Sequence, residues 1–341
     1  MKDIIKKVYS KFYFYFPFFV KPIEYSYYYI NNIFCDKRKY KDEMKEGKEI
    51  LEKIIEDKNY YYVIIDKGIG DALIVAQYAH YLEQKYKKNI AFILKKEQID
   101  IVNKFDYIKK IIGCSNEELQ KIELYITRNS LYETDEYKYC FFEMKISKNG
   151  KRNWSSAHWN KKIMLSERYK KYVFSLSEEA TAYKVNEERS LNCLKNIKEK
   201  YKIRNNSILL IPYANTVPHI NNTFWEKLAI QISNKGYTVY TNIGNTKKEK
   251  PIQNTLGITM TLDEVFNVSK EFNSIITIRC GLAEYLGLTN PNMIVINDNS
   301  KNYDRWDDIN TYSSKKTIKN IYINNKKNDI LINEIISEIG G

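Results

Sequence analysis

The stretch YYVIIDKGIGDALIVAQYAH, residues 61–80, decides the fold of this chain. Its first five residues are apolar and rich in β-forming types, which predicts a buried strand over Tyr61–Ile65. Gly68 and Gly70 allow a tight turn, and apolar residues at helical spacing then predict a helix from Ala72 to Tyr86. Strand, glycine turn and helix open a Rossmann-like unit, in which ligands bind beyond the carboxyl ends of the strands. Asp71 therefore stands where a reacting group would be placed.

The same turn also has a purely structural interpretation, in which Asp71 is the N-cap of the helix that follows. The turn is not the dinucleotide fingerprint, because Leu73 occupies the position of the third glycine. It does not match the phosphate-binding Walker loop either. The local pattern leaves the catalytic and the capping interpretations open.

The length, hydrophobic content and net charge of the chain limit the kinds of protein and partner that are expected. The chain has 341 residues, a net charge of +13 and 43% hydrophobic residues, which suits a folded protein of about two domains. A basic balance favours nucleic acid, an anionic membrane surface or phosphorylated substrates as partners. The lysines are scattered and no zinc-finger or RNA-binding signature occurs, so nucleic acid is the least favoured partner.

The cysteines point to a reducing compartment. They are odd in number, far apart and never spaced as Cys-x-x-Cys, which argues against a disulfide scaffold or a structural zinc site. They are Cys35, Cys114, Cys140, Cys193 and Cys280. No small-residue cleavage site follows the apolar run near the start, so we predict a cytoplasmic protein without a cleaved signal peptide.

Residues 1–45 form an extension of unusual composition. Lysines precede the aromatic run Phe12–Val20, and a second aromatic group spans Tyr25–Tyr29. The run is too short to cross a bilayer, which takes roughly 20 residues. Aromatic residues flanked by lysines suit a peripheral contact with lipid headgroups. The alternative is an arm that packs on the protein's own core or on another subunit.

Alternating strands and helices continue from residue 42 to residue 142 and predict a parallel α/β sheet. Helices are expected over residues 42–58 and Glu97–Phe105, and strands over Ile90–Leu94, Tyr107–Ile112 and Tyr139–Phe142. Residues 148–172 interrupt this pattern with cations beside tryptophans. His158, Trp159 and Lys161 suit a sugar face next to an anionic group; the alternative is a basic surface loop with buried tryptophans.

The second half repeats the alternation after a charged helix predicted over residues 177–202. Strands are expected at Ser207–Ile211, Tyr237–Tyr240, Ser274–Ile278 and Met293–Ile296, and helices at Phe224–Lys235, after Thr261 and at Leu282–Leu286. Gly236 is expected to end the first of these helices. The fold predicted is α/β, with two Rossmann-like domains facing across a cleft. Their expected bounds are 46–180 and 181–341, after the aromatic-rich extension 1–45.

An ordered set of landmarks over roughly residues 60–298 resembles the heptosyltransferase-like enzymes of glycosyltransferase family nine, which have the GT-B fold. Gly68-Ile-Gly-Asp71 is similar to the family's (S/G)-x-G-D opening. Pro212 with the helix at Phe224-Trp225 is similar to its Pro-x-Ala-Ser…Lys-x-Trp region. Thr261-Leu262 resembles its Thr-x-Leu, and Arg279-Cys-Gly-Leu-Ala-Glu284 its Asp-(S/T)-Gly-x-x-His.

The resemblance implies an inverting, metal-independent transfer from a nucleotide-sugar, with no cofactor beyond that co-substrate. It places the donor in the C-terminal domain and the acceptor, a cell-surface glycan or a lipid-linked sugar, in the N-terminal domain. Asp71 is the implied general base. Implied donor contacts come from the loops that follow the C-terminal strands: Asn215, Thr216, Asn242, Gly244, Arg279, Cys280, Gly281, Leu282 and Glu284. Acceptor contacts are expected from Lys67, Gly70, His158, Trp159 and Lys161.

The sequence departs from the family pattern at Arg279 and Glu284, which replace the family's Asp and His. We therefore do not extend the family's specificity for heptose and ADP to this chain. Two other functions remain open. One is a GT-B-shaped nucleotide-sugar epimerase or hydrolase, which needs further carboxylates in the cleft, with Asp263 and Glu284 as candidates. The other is a glycan-binding protein that has kept the fold without the chemistry.

Overall fold

A computed structural model describes most of the chain. The described residues are 37–140, 144–146, 152–154, 164–185, 191–214, 220–244, 249–289, 291–297, 318–323 and 326–339. The aromatic extension lies outside them, apart from the start of a helix that begins at Lys37. Within these ranges no helix is both long and apolar enough to cross a membrane.

The N-terminal domain is built on a parallel sheet of four described strands in the order β3-β2-β1-β4. These strands are β1 Tyr60–Ile64, β2 Asn89–Lys95, β3 Ile108–Cys114 and β4 Tyr137–Tyr139. Strand β1 is central, and Tyr61 to Ile64 are all buried because helices cover both faces of such a sheet. A short antiparallel pair follows, β5 Met144–Ile146 with β6 Arg152–Trp154.

The C-terminal domain carries a parallel sheet of six described strands in the order β12-β11-β10-β7-β8-β9. They are β7 Ser207–Ile211, β8 Thr238–Asn242, β9 Leu256–Ile258, β10 Ser274–Ile278, β11 Met293–Asn297 and β12 Ile318–Tyr322. Counted from β7, this is the doubly wound order 3-2-1-4-5-6 of a Rossmann fold. The first four strands of the N-terminal sheet follow the same order, so two Rossmann-like domains succeed each other along the chain.

The helices connect these strands. In chain order they are α1 Lys37–Ile54, α2 Ile69–Tyr78, α3 His80–Tyr86, α4 Ile99–Val102, α5 Asn116–Asn129, α6 Leu165–Arg168, α7 Leu191–Tyr201, α8 Asn222–Asn234, α9 Leu262–Val268, α10 Gly281–Gly287 and α11 Asn328–Glu338. A π-helical turn, Tyr169–Val173, continues α6. Gly236 follows α8 with a φ of 87°, a conformation that favours glycine, as expected of the residue that ends a helix.

The helix predicted from Ala72 to Tyr86 differs in two ways. It begins earlier, at Ile69, with Gly68 as an extended N-cap, and it divides at Ala79 into α2 and α3. Asp71 is therefore the third residue of α2, and the alternative interpretation of Asp71 as the N-cap is wrong. Its carboxylate instead accepts a hydrogen bond from the backbone N–H of Gly68.

Of the helix predicted over residues 177–202, only the part that forms α7, Leu191–Tyr201, is confirmed. Residues 177–185 are turns and extended chain, because tertiary contacts outweigh local helix propensity there. The N–H of Tyr183 donates to the carbonyl of Gln77 at 2.8 Å, and its ring lies 4.8 Å from that of Tyr107. The segment thus packs along the first domain before the chain enters the second.

Other differences are local. The fourth strand is shorter than Tyr139–Phe142 and ends at Tyr139, while residues 141–143 lie outside the described part. The pattern analysis did not predict α5, although Ser115 and Glu118 form a complete capping box at its start. It also did not predict β9, β12 or α11.

The two domains share an apolar core. Phe266, Tyr285 and Leu288 of the second domain are buried in the same cluster as α2 and strand β1 of the first. Polar contacts edge this cluster: the Tyr285 hydroxyl donates to the carbonyl of Asp100 at 3.2 Å, and Lys104 forms an ion pair with Asp263. The domains therefore meet through packed side chains as well as through the chain that joins them.

Candidate active site

The site forms where the carboxyl ends of the two sheets face each other. In a doubly wound sheet the ligand crevice lies where the strand order reverses, which here is beside β1 and beside β7 and β10. The turn Asp66–Gly68 follows β1 and leads into α2, and Arg279–Cys280 follows β10 and leads into α10. A β-carbon added to Gly281 would lie 2.7 Å from the backbone nitrogen of Gly70. The first turns of α2 and α10 are thus in direct contact, which brings the expected base and the expected donor segment together.

Asp71 is held by two hydrogen bonds, one to each carboxylate oxygen. The N–H of Gly68 donates to Oδ2 at 3.2 Å, and the hydroxyl of Tyr169 donates to Oδ1 at 2.8 Å. Burial raises the pKa of Asp71, and this effect outweighs the hydrogen bonds from Tyr169 and Gly68 and the charge of Lys67, which all lower it. As a whole residue Asp71 is nonetheless only half-buried. A carboxylate with a raised pKa is better suited to accept a proton near neutral pH.

Tyr169 is a site residue that sequence reasoning missed. It begins the π-helical turn after α6 and lies 98 positions from Asp71 along the chain. Its side chain is fully buried, and burial raises its pKa well above the usual value. No local pattern marks such a residue, since only the packing of the π-helical turn against α2 brings its hydroxyl to the carboxylate.

Arg279 and Glu284, both expected to contact the donor, bind each other. The guanidinium Nη2 lies 2.7 Å from Oε1 of Glu284, and the two residues are only 6% and 2% exposed. The other carboxylate oxygen of Glu284 faces Gly70, where any added β-carbon would overlap it. One buried ion pair therefore lies directly behind the contact between the two domains.

Cys280 and Leu282 lie on either side of Gly281, the first residue of α10. Cys280 is the extended N-cap, and burial raises the pKa of its thiol while the N–H groups of Ala283 and Leu282 lower it. Leu282 is partly buried and packs against the apolar cores of both domains. The backbone of this loop thus lies against α2, with the cysteine side chain turned inward.

Asn242 and Gly244 lie at the carboxyl end of β8. The side-chain oxygen of Asn242 accepts from the N–H of Met260 at 3.4 Å, and the N–H of Gly244 donates to Glu249 at 2.6 Å. The side chain of Asn242 and the backbone N–H of Gly244 thus both have partners within the protein. Asn215 and Thr216 lie outside the described residues.

Lys67 belongs to an acidic cluster that sequence reasoning did not find. Its ammonium lies 3.1 Å from Asp66 and 3.7 Å from Glu123. Burial raises the pKa of Glu123, and the neighbouring charge of Asp66 adds to that effect. Lys67 thereby offsets two carboxylates beside the glycine turn. His158, Trp159 and Lys161, the other expected acceptor contacts, lie outside the described residues.

Among the described residues, no group of three His, Cys, Asp or Glu side chains is arranged to hold a metal ion. In the described part of the chain, Lys67 and Arg279 lie near the contact of α2 with α10, and each is paired with a carboxylate.

The contact of α2 with α10 yields a prediction. Replacing Gly281 with Ala would place a methyl group 2.7 Å from the backbone nitrogen of Gly70 and 2.9 Å from Cβ of Ile69. Because backbone atoms cannot swing aside, we expect a loss of about 1–3 kcal/mol in the free energy of unfolding. Wild-type thermal unfolding of Gly281→Ala would show that the first turns of the two helices do not touch.

Comparison with known proteins places the fold. No protein-family model matches the sequence, and no curated protein matches it. Solved structures do match. An ADP-heptose lipopolysaccharide heptosyltransferase II from E. coli aligns with a TM-score of 0.57 at 11% identity, over 82% of this chain and 98% of that chain.

Two further structures agree. A family 9 glycosyl transferase from Veillonella parvula aligns with a TM-score of 0.53 at 10% identity, over 83% of this chain and 92% of that one. The E. coli heptosyltransferase WaaC with ADP-2-deoxy-2-fluoro heptose aligns with a TM-score of 0.51 at 10% identity, over 82% and 99%. The expected fold class is confirmed: this chain has the GT-B fold of the heptosyltransferases of glycosyltransferase family nine.

Proposed function

We propose that the protein is an inverting glycosyltransferase that moves a sugar from a nucleotide-sugar to a hydroxyl group of a glycan or lipid-linked acceptor. The observation that carries this proposal is the contact between the Asp71 turn and the loop after β10, at the facing ends of two Rossmann-like sheets. The fold is shared with heptosyltransferases that use ADP-heptose. Residues 46–180 would hold the acceptor and residues 181–341 the donor.

The proposed chemistry begins at Asp71. Two of the roughly four acceptor positions on its carboxylate are taken by Gly68 and Tyr169, which leaves room for a proton. The acceptor hydroxyl gives its proton to Asp71 as its oxygen attacks the anomeric carbon. The bond from that carbon to the nucleoside diphosphate breaks on the opposite face, so the configuration inverts without a covalent intermediate. Lys67 and Gly70, together with His158, Trp159 and Lys161, would bind the acceptor.

The leaving diphosphate is the charge that the second domain has to stabilise. We place it against the backbone N–H groups of Cys280, Gly281 and Leu282, with Arg279 beside them. Arg279 and Glu284 would act as a pair, since the carboxylate fixes the guanidinium and offsets its charge. Asn215, Thr216, Asn242 and Gly244 would contact the nucleotide. In this proposal the backbone amides, with the paired Arg279 beside them, stabilise the leaving diphosphate, and the reaction we propose is metal-independent.

A thermal-shift screen over nucleoside diphosphates and their sugar conjugates tests the donor half. A ligand at about 100 times its dissociation constant adds about 2.7 kcal/mol to the free energy of unfolding. We expect one nucleotide base to raise the melting temperature in both its diphosphate and sugar-conjugate forms. Release of that diphosphate from the conjugate, stimulated by an acceptor glycan, would then identify transfer. No stabilisation by any nucleotide at millimolar concentration would contradict the proposal.

We further propose that the protein works in the cytoplasm, at the inner face of the plasma membrane, in the assembly of a cell-surface polysaccharide. The net charge of +13 and the lysine-flanked aromatic run Phe12–Val20 support this placement, since both suit an anionic headgroup region.

Deleting residues 1–22 is expected to abolish co-flotation with vesicles that contain anionic lipid. The full chain should float with these vesicles and not with neutral ones. Undiminished flotation of the shortened chain would show that the extension is no membrane anchor, and would favour an arm packed on the protein.

A further inference from the structure

Tyr169 occupies a position that its packing alone does not explain. It lies in the apolar core of the first domain with its ring fully buried, yet its hydroxyl points to Oδ1 of Asp71 at 2.8 Å. The carbonyl of Tyr169 accepts a hydrogen bond from the N–H of Phe174 at 2.9 Å, which holds the π-helical turn together. The phenol is therefore a buried donor directed at the carboxylate of Asp71.

The two donors restrain the carboxylate from both sides. The N–H of Gly68 lies on Oδ2 and the hydroxyl of Tyr169 on Oδ1, so rotation of the carboxylate plane would break one bond or both. A general base acts efficiently only when it is held within hydrogen-bonding reach of the proton that it takes. With the bond from Gly68 alone, the carboxylate group could rotate and move Oδ1 away from its present position.

The direction of the bond between Tyr169 and Asp71 is also fixed. Burial, the charge of Asp71 and the hydrogen bond itself raise the pKa of the Tyr169 phenol, so it stays protonated wherever Asp71 is ionised. It cannot accept the proton that Asp71 takes from an acceptor. A hydrogen bond to an ionised group favours that ionised form, which here opposes the cost of burying the charge.

We infer that Tyr169 is a positioning residue for Asp71: its hydroxyl orients the carboxylate and stabilises the charged form that is able to accept a proton. Only the expected effect on turnover rests on the proposed function. The positioning itself is a property of the unliganded protein and is measurable without a substrate.

The variant that tests this is Tyr169→Phe, which removes one oxygen and keeps the ring. Tyr107→Phe is the matched control, because that tyrosine is also buried in the same core but its hydroxyl donates to the carbonyl of Ala76. The carboxyl ¹³C signal of Asp71, assigned by its loss in Asp71→Asn, reports the titration of this group in the full chain. We expect its midpoint to move to higher pH in Tyr169→Phe and to stay unchanged in Tyr107→Phe.

A stability cycle gives a second measurement. Tyr169→Phe should lower the melting temperature in the wild-type background more than in an Asp71→Ala background, where the hydroxyl has lost its acceptor. With an active donor and acceptor pair, kcat should fall about tenfold while KM for the donor stays the same, the size expected for one hydrogen bond to a charged group.

The outcomes separate the two proposals. An unmoved Asp71 midpoint in Tyr169→Phe, or equal melting losses in both backgrounds, would overturn the positioning role whatever the activity. A shifted midpoint in a protein that turns over no nucleotide-sugar would uphold the positioning role and reject the transferase function. A shift of the same size in Tyr107→Phe would show a general loosening of the core and would also overturn the inference.

Discussion

Replacing Glu284 with Ala is expected to lower the free energy of unfolding by about 3 kcal/mol or more. The change leaves the guanidinium of Arg279, only 6% exposed, without its 2.7 Å partner. The cost of a buried and uncompensated charge exceeds what the ion pair itself contributes. The ion pair lies behind the contact of Gly70 with Gly281, so we also expect the two domains to separate more readily. Thermal and denaturant unfolding measure the first effect, and small-angle scattering the second.

Two variants distinguish loss of charge from loss of shape. Glu284→Gln keeps the volume and one acceptor for Arg279, and we expect it to be less destabilising than Glu284→Ala. The double change Arg279→Met with Glu284→Met removes both charges and should recover much of the loss, because apolar residues of similar volume often replace buried pairs without cost. Wild-type stability in Glu284→Ala would mean that groups other than Glu284, or solvent, compensate the charge of Arg279.

Replacing Asp71 with Asn is expected to reduce kcat about 10²- to 10⁴-fold while the affinity for the donor is retained. The amide keeps an oxygen for the hydroxyl of Tyr169 but cannot take a proton from the acceptor. Donor affinity should survive because the proposed nucleotide contacts lie in the other domain. The measurement is steady-state transfer with the donor found by the thermal-shift screen, beside donor titration by calorimetry.

Stability provides the control for this variant. The pKa of Asp71 is higher in the folded protein than its unfolded value near 3.8. At pH values above the folded pKa, the ionised side chain therefore destabilises the fold. Below pH 3.8 the side chain is protonated in both states and this cost disappears. The amide nitrogen of Asn cannot accept from the N–H of Gly68, and this loss opposes the relief of removing a buried charge. We therefore expect Asp71→Asn to lie within about 1 kcal/mol of the wild type at pH 7 and to become relatively less stable as the pH falls toward 4. Unchanged turnover would reject Asp71 as the base. Lost donor binding at wild-type stability would assign it to the donor site instead.

Patterns of adjacent residues were enough to predict the core of the fold. Strand β1, the glycine turn and the start of the second sheet follow from short apolar runs and two glycines, because burial in a parallel sheet requires such runs. Thr261 with Glu264 marked the start of α9, since a capping box is formed entirely within one turn of chain. Local patterns failed where distant contacts dominate, as at Tyr183, whose bond to Gln77 keeps residues 177–185 from forming a helix.

The linear order of residues was sufficient for the α/β class, the two Rossmann-like units and the position of Asp71 after the first strand, because each depends on neighbours in the chain. Folding alone revealed that Tyr169 donates to Asp71 and that Gly70 meets Gly281. The reason is physical. Hydrogen bonds and ion pairs act over about 3 Å in space, and these partners come from different elements or different domains, so no spacing in the sequence encodes their distance.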